Sequence, residues 1–328
     1  MTEINKRKII QIEAFDEPEI SKMKAAVTDD FYIKNIYGNT DKKTLKEELK
    51  DAEVVIGAPP LSLLLEPEVN CPKLKFVQMV WAGTDMYTAV EEKFPSEQIM
   101  LANGSGAYGL IMSQFVIGMT LSVMLNFNDY HRQQTAKIWE RRGPVQSLDH
   151  ARVLIFGAGD IGTAVAQRLQ GFDAYCIGVC RNVDKKRPYF NELCTLENAE
   201  KYIPSADVIV CCIPNNAATV GYMDRTKIGL MKESAVIVNV GRGNFIDCMA
   251  LNDALNNRKI WGAALDVTSP EPLPKDHPLW ENPRCMITPH ASGASFGHFK
   301  ETEKILCDIV CENLKRYCDG EEIKNRIY

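Results

Sequence analysis

No uninterrupted apolar run in this chain of 328 residues reaches the roughly 20 positions that a membrane helix needs. The longest apolar-rich stretch, residues 110–125, is interrupted by Ser113, Gln114 and Ser122, so no membrane partner is expected. Residues 1–8 are polar and charged, which argues against a secretory signal. There is no long basic block and the net charge is −5, so no nucleic-acid partner is expected either. No two of the eleven cysteines are spaced C-x-x-C, and Cys176, Cys180, Cys211 and Cys212 sit in apolar, strand-like runs. That is the pattern of reduced cysteines serving as small hydrophobes in a cytoplasmic protein. His131, His150, His277, His290 and His298 show no zinc-type spacing among themselves or with the cysteines, so no metal is expected. Internal repeats, low-complexity tracts and Gly/Ser linkers are also missing.

What is present is an alternation of strand-like and helical patterns, long enough for two domains of ordinary size. Apolar runs at 8–12, 52–58, 74–80 and 99–103 read as buried strands, with helical stretches such as 42–50 and 84–94 between them. Residues 108–132 read as one long helix, apolar on nearly every face and therefore buried. A polar helical segment, 133–142, continues it to the Gly143-Pro144 break. Six further strands are predicted at 152–156, 175–180, 208–213, 235–240, 260–265 and 285–288, with helices at 160–170, 196–202, 224–231 and 247–256. An amphipathic helix at 296–317 would pack back on the first domain. The expected fold class is α/β: two doubly wound parallel-sheet domains, one spanning 1–104 with 296–328 and the other 105–295.

Gly157-Ala158-Gly159-Asp160-Ile161-Gly162 falls between a predicted strand and a predicted helix. There Gly157 permits a tight turn, Gly159 lets the backbone approach a pyrophosphate, and Gly162 lets the helix lie close to the strand. Asp160 and Ile161 would offer backbone amides to the phosphates. The second domain is thus read as a Rossmann domain for a nicotinamide dinucleotide. Its second strand ends in Val179-Cys180-Arg181-Asn182, without the acid that accepts the ribose hydroxyls of NAD. Arg181 can pair with a 2′-phosphate, Asn182 can donate to it, and Lys185-Lys186-Arg187 adds positive potential. NADP(H) is therefore expected to be preferred, with NAD(H) possible if Arg181 only stacks on the adenine.

Arg242 follows an apolar run and precedes Gly243, at a sheet's carboxyl edge. Its rigid fork suits a substrate carboxylate and polarises an adjacent ketone. His290 follows Pro289, and ketone reduction needs a proton donor that titrates near neutral pH. Glu271, in the proline-fenced loop Pro270-Glu271-Pro272-Leu273-Pro274, would favour and orient the imidazolium. The three together point to an oxidoreductase for a small 2-oxo or 2-hydroxy acid.

These motifs, with Ile213-Pro214 before Thr219, Asn239-Val240-Gly241-Arg242-Gly243, Asp266-Val267, and Pro289-His290 before Ser292-Gly293, run through nearly the whole chain. Taken together they resemble the D-isomer-specific 2-hydroxyacid dehydrogenases, which include the glyoxylate/hydroxypyruvate reductases. The resemblance implies a flavodoxin-like substrate domain built from both chain ends, D-stereospecificity and the same three roles for Arg242, Glu271 and His290. It also implies cofactor contacts at Ile213, Pro214, Thr219, Val240, Gly241, Arg242, Asp266, His290 and Gly293. Backbone N–H groups of Ala82, Gly83 and Thr84 would hold the substrate carboxylate. A homodimer is expected, with Trp139 where some relatives send an aromatic into the neighbouring subunit. Three departures stand out: Cys180 for the usual acid, Gln114 for a glutamate, and Asp173 for a glycine before the second strand. Glyoxylate and hydroxypyruvate are the favoured substrates. A larger branched or aromatic 2-oxo acid is the enzymatic alternative, and a dinucleotide-sensing, corepressor-like binding protein the non-enzymatic one.

Overall fold

The structure, a computed structural model, describes residues 6–88 and 93–328. It divides into two compact units, Met1–Ala107 with Ser295–Tyr328, and Tyr108–Ala294.

The first unit is built on five strands, β1 (Arg7–Gln11), β2 (Phe31–Asn35), β3 (Ala52–Ile56), β4 (Phe76–Gln78) and β5 (Met100–Ala102). Every pairing is parallel and the order is β2-β1-β3-β4-β5, the flavodoxin-like arrangement, in which the direction of winding reverses between β1 and β3. Helices α1 (Glu17–Ala25), α2 (Lys42–Leu49), α3 (Leu61–Leu64), α4 (Pro67–Asn70) and α5 (Asp85–Thr88) lie between the strands. The expected helix 84–94 is seen only as α5, and residues 89–92 lie outside the described residues. Asp41 starts α2 by accepting hydrogen bonds from the N–H groups of Lys43 and Thr44. The core joins Ile10, Val55, Leu74, Val77 and Leu101. β2 and α1 are additions to the sequence-based expectation. β2 reads Phe-Tyr-Ile-Lys-Asn at the sheet edge, half exposed, so it lacks the continuous apolar run of a central strand.

Glu53 of β3 ties this unit together. It accepts hydrogen bonds from the Arg7 guanidinium, one of them Nε to Oε2 at 2.9 Å, and from the Tyr317 hydroxyl of the C-terminal helix (Lys300–Asp319) at 2.6 Å. The bonds from Arg7 and Tyr317 pull its carboxyl down to about 2. A carboxyl lowered in the folded state adds stability above its unfolded value, near 4.5, that is lost as pH falls toward 2. Replacing Glu53 by Gln should flatten the acid limb of the unfolding curve. The wild type should lose about 1–2 kcal/mol more than the variant between those pH values, after allowance for solvent screening at the half-exposed Arg7. Parallel acid limbs in denaturant titrations would remove Glu53 from this role.

The second unit carries seven parallel strands: β6 (Arg152–Phe156), β7 (Tyr175–Val179), β8 (Glu192–Cys194), β9 (Val208–Cys211), β10 (Val236–Asn239), β11 (Gly262–Leu265) and β12 (Cys285–Ile287). Their order, β12-β11-β10-β9-β6-β7-β8, is the Rossmann arrangement extended by a seventh strand. β9, β10 and β11 are buried at every position, which is why their sequences read as unbroken apolar runs. The expected count of six strands is corrected by β8, three residues at the sheet edge and too short to leave a pattern.

The single long helix expected at 108–132 is also corrected. It is α6 (Gly109–Met124) followed by α7 (Phe127–Ala136), bent by 67°. Asn126 makes the break by taking the left-handed conformation at φ 58°, with its Nδ2 donating to Pro144 O at 3.0 Å. The helix expected over 133–142 ends at Ala136, where Lys137 is left-handed as well and Ile138 N–H closes on Gln133 O. Residues 138–142 are not helical, and Trp139 stands fully exposed on them. Among the described residues no single helix is long and apolar enough to cross a membrane. α8 (Asp160–Leu169) packs against α6, and α9 (Arg225–Gly229) and α10 (Cys248–Asn256) complete the helices. Asp173 takes φ 50°, so aspartate fills the left-handed position that the resemblance assigns to glycine. All eleven cysteines are free.

Candidate active site

In the second unit the glycine motif forms the turn between β6 and α8. Gly157 has φ 100°, and a Cβ there would lie 2.8 Å from Cys212 O. A Cβ on Gly162 would fall 1.9 Å from Gly157 O, so only glycine lets α8 start this close to the strand. A Cβ on Gly159 would meet nothing within 4 Å. The backbone is therefore open on the side where the first-turn N–H groups of Asp160 and Ile161 lack helical partners. The Asp160 carboxylate accepts the Gly109 N–H at 3.0 Å, which joins the starts of α8 and α6.

β7 ends at Val179, and Cys180, Arg181 and Asn182 follow at its carboxyl edge, with Arg181 and Asn182 exposed. Asn182 Oδ1 accepts the N–H groups of Asp184 and Lys185, at 3.0 and 3.2 Å, and so turns the chain. Cys180 Sγ donates to Asn182 O at 3.3 Å. Nearby, Arg187 Nε is buried without a hydrogen-bond partner among the described residues.

Ile213 and Pro214 follow β9. Thr219 is buried, and its hydroxyl oxygen accepts Asn216 N–H at 2.9 Å and lies 3.1 Å from the carbonyl oxygens of Pro214 and Asn216. That hydroxyl shapes the loop from within. Gly241 packs where a Cβ would meet Ile213 O at 2.8 Å.

Arg242 sits on a loop fixed by the strand beneath it. Asn239, fully buried at the end of β10, accepts Gly241 N–H at 3.0 Å and donates to Arg242 O at 2.9 Å. Arg242 Nη1 donates to Gly241 O at 2.7 Å. A Cβ on Gly243 would lie 1.8 Å from Thr268 O, so the loop after β10 is seated directly on the segment after β11.

His290 lies beyond β12 in the left-handed region, φ 52°. Asp266, buried just after β11, holds it there. Asp266 O accepts His290 N–H at 2.8 Å, Oδ1 accepts Ala291 N–H at 2.8 Å and the Thr288 hydroxyl at 2.6 Å, and Oδ2 accepts Ser292 N–H at 3.0 Å. Backbone and side chain of one residue thus wind residues 288–292 into a fixed turn. His290 Nδ1 is 2.7 Å from Glu271 Oε1, and the two side chains are 50% and 40% exposed. With Nδ1 committed to the carboxylate, Nε2 is the nitrogen left for a ligand.

In the first unit, Trp81, Ala82, Gly83 and Thr84 connect β4 to α5. Gly104 N–H donates to Trp81 O and Asn103 Nδ2 to Ala82 O, both at 2.8 Å. These carbonyls are tied down, and Gly83 is exposed.

The model of the family described as "D-isomer specific 2-hydroxyacid dehydrogenase, NAD binding domain" matches residues 117–292. This chain belongs to the D-isomer specific 2-hydroxyacid dehydrogenases. It is 31% identical over 280 residues to a glyoxylate/hydroxypyruvate reductase A of Citrobacter koseri, spanning 83% of this chain and 85% of that one. It is 30% identical over 302 residues to a hydroxypyruvate reductase of Blautia hydrogenotrophica, spanning 87% and 88%. Among solved structures, a D-isomer specific 2-hydroxyacid dehydrogenase family protein from Aeromonas salmonicida superposes with a TM-score of 0.83 at 29% identity, over 98% of this chain and 99% of that one.

As a 2-hydroxyacid dehydrogenase the chain is an NAD(P)-dependent oxidoreductase acting on small 2-hydroxy or 2-oxo acids. The turn at Gly157–Gly162 fits the pyrophosphate of such a cofactor, because its backbone is open at Gly159 and leads into the first turn of α8. Asn239 was not foreseen as a site residue. Beyond its place in the Asn239–Gly243 motif, its sequence signal is an amide at the end of an otherwise apolar strand, where a buried polar group must find partners.

Proposed function

We propose that this 2-hydroxyacid dehydrogenase reduces glyoxylate and hydroxypyruvate to D-2-hydroxy acids with NADPH. The observation that carries the reading is the 2.7 Å contact between His290 Nδ1 and Glu271 Oε1, which leaves Nε2 as the outward proton donor. The curated relatives' activity on glyoxylate and hydroxypyruvate supports the substrate. In this reading the unit 108–294 holds the dinucleotide and the other unit holds the acid. The dihydronicotinamide, when bound, supplies the hydride. Arg242 grips the substrate carboxylate and polarises the ketone, and Ala82, Gly83 and Thr84 are the other unit's N–H groups for binding the acid. His290 Nε2 delivers a proton to the carbonyl oxygen while Glu271 stabilises the imidazolium through Nδ1.

The cofactor preference rests on the exposed Arg181 beyond β7, on the carboxylate missing at Cys180, and on the basic residues 185–187. Following the nicotinamide absorbance with NADPH and NADH separately, against glyoxylate, hydroxypyruvate, pyruvate, 2-oxoisocaproate and phenylpyruvate, tests the reading. The expected result is fastest oxidation of NADPH with one of the first two acids, and a cofactor preference of about tenfold or more, or ~1.4 kcal/mol. Replacing Arg181 by Asp should abolish that preference. Equal efficiency with both cofactors would sink it, a larger acid as best substrate would replace the substrate, and tight cofactor binding without turnover would favour a dinucleotide-sensing protein.

A further inference from the structure

In a parallel sheet ordered β2-β1-β3-β4-β5, ligands bind beyond the carboxyl ends of the strands where the winding reverses, here between β1 and β3. Glu13 stands at that point, two residues beyond β1, and Gly57 is the first residue beyond β3. The surroundings are built around this glutamate. Gln11, fully buried, spends both ends of its amide on Glu13, accepting its N–H at 2.6 Å and donating to its carbonyl at 2.7 Å. The carboxylate Oε1 then accepts Ala58 N–H at 3.2 Å. Gly57, at φ 122°, lets the segment after β1 lie close: a Cβ there would fall 2.3 Å from Ile12 Cγ1, 2.8 Å from Oε1 and 2.9 Å from Cγ of Glu13. Among the described residues Oε2 has no hydrogen-bond partner. Tyr87, three residues beyond Thr84, buries its hydroxyl without a partner among the described residues, and burial with the nearby Glu13 carboxyl pushes the phenol up to about 12. Burial also raises the Glu13 carboxyl.

The bond from Ala58 N–H uses one oxygen of this carboxylate and leaves the second for another donor. We propose that Glu13 is a specificity-determining residue, whose open Oε2 accepts a hydrogen bond from a hydroxyl on the carbon next to the substrate's carbonyl. The substrate class is a 3-hydroxy-2-oxo acid, hydroxypyruvate being the smallest, in contrast to pyruvate and longer acids with hydrogen or an alkyl group there; glyoxylate, which has no such carbon, does not reach Glu13. This rests on the small 2-oxo acid reading above. A site that hydrogen-bonds a substrate hydroxyl rejects the analogue lacking it, because its own polar group is then left unpaired.

The test compares kcat/KM for hydroxypyruvate and for pyruvate, which differ by that hydroxyl, in wild type, Glu13→Leu, Glu13→Ala and Glu13→Gln. The expected result is a hydroxypyruvate-to-pyruvate ratio that falls at least tenfold in the leucine and alanine variants, mainly through KM, and stays within threefold of wild type in the glutamine variant. Wild type active on hydroxypyruvate with the ratio unchanged in Glu13→Leu and Glu13→Ala overturns Glu13's role alone. Equal losses on both acids, or loss of folding in both variants, make Glu13 a fastener of the loop and also overturn it. A wild type that reduces neither acid overturns the substrate reading itself.

Discussion

Replacing His290 by Gln should lower kcat about 10²–10⁴-fold and leave the dissociation constant for NADPH within about threefold. Glutamine nearly matches imidazole in reach and can still donate to Glu271 Oε1, so the geometry at the 2.7 Å contact has a substitute. What it lacks is an imidazolium N–H able to pass its proton to the carbonyl oxygen. The backbone requirement is milder than it looks. His290 sits at φ 52°, and the bonds from Asp266 to residues 290–292 hold the turn whatever side chain occupies it. Steady-state turnover gives the first number and quenching of nicotinamide fluorescence the second. A variant that keeps most of kcat would remove His290 from the proton-transfer step, and one that loses cofactor binding equally would show that the turn had collapsed.

Replacing Arg242 by Lys should lower kcat/KM about 10²–10³-fold, the range found when one preorganised donor to a developing oxyanion is removed. The charge is kept and the fork is lost. Asn239 fixes the carbonyl of residue 242 and the N–H of 241, and Gly243 is pressed onto Thr268, so the backbone presents either side chain from the same origin. A lysine ammonium there can meet one carboxylate oxygen but cannot hold the carboxylate plane and the ketone together. Part of the loss should therefore appear in kcat. A rise in KM with kcat untouched would mean that Arg242 binds substrate and transition state equally well and does not polarise the ketone.

The cofactor turn and the central strands were legible because each follows from a rule with little freedom. β9, β10 and β11 are apolar at nearly every position since both faces are covered, and Gly157 and Gly162 occupy places where a Cβ has no room. Of the four edge strands, β5 and β12 were read and β2 and β8 were not. β2 and β8 are partly exposed, so their sequences carry half the pattern, and β8 has only three residues. The break at Asn126 has no Gly or Pro to announce it, and it shows only when the Asn126 amide finds Pro144 O, 18 residues on. In the site, Arg242, Glu271 and His290 stood out by chemical type. Asn239 acts through its amide on neighbouring backbone, and Glu13 stands out only beside Gly57, 44 positions away in sequence and just beyond the neighbouring strand β3. Asp266 was read as a cofactor contact, and the structure adds four bonds that wind the His290 turn.

Arg242, Glu271 and His290 all fall within 108–294, while Glu13 and residues 82–84 fall in the unit built from the two chain ends. On the proposed roles this division has an evolutionary consequence. Mutations that change which acid is accepted can accumulate around β1, β3 and β4 without disturbing the residues that move the proton. A lineage can therefore explore new substrates through one unit while selection holds the reaction constant in the other. The same division suggests where directed evolution of this scaffold should place its libraries: on the loops that follow those three strands, with the segment from Asn239 to Ser292 left intact.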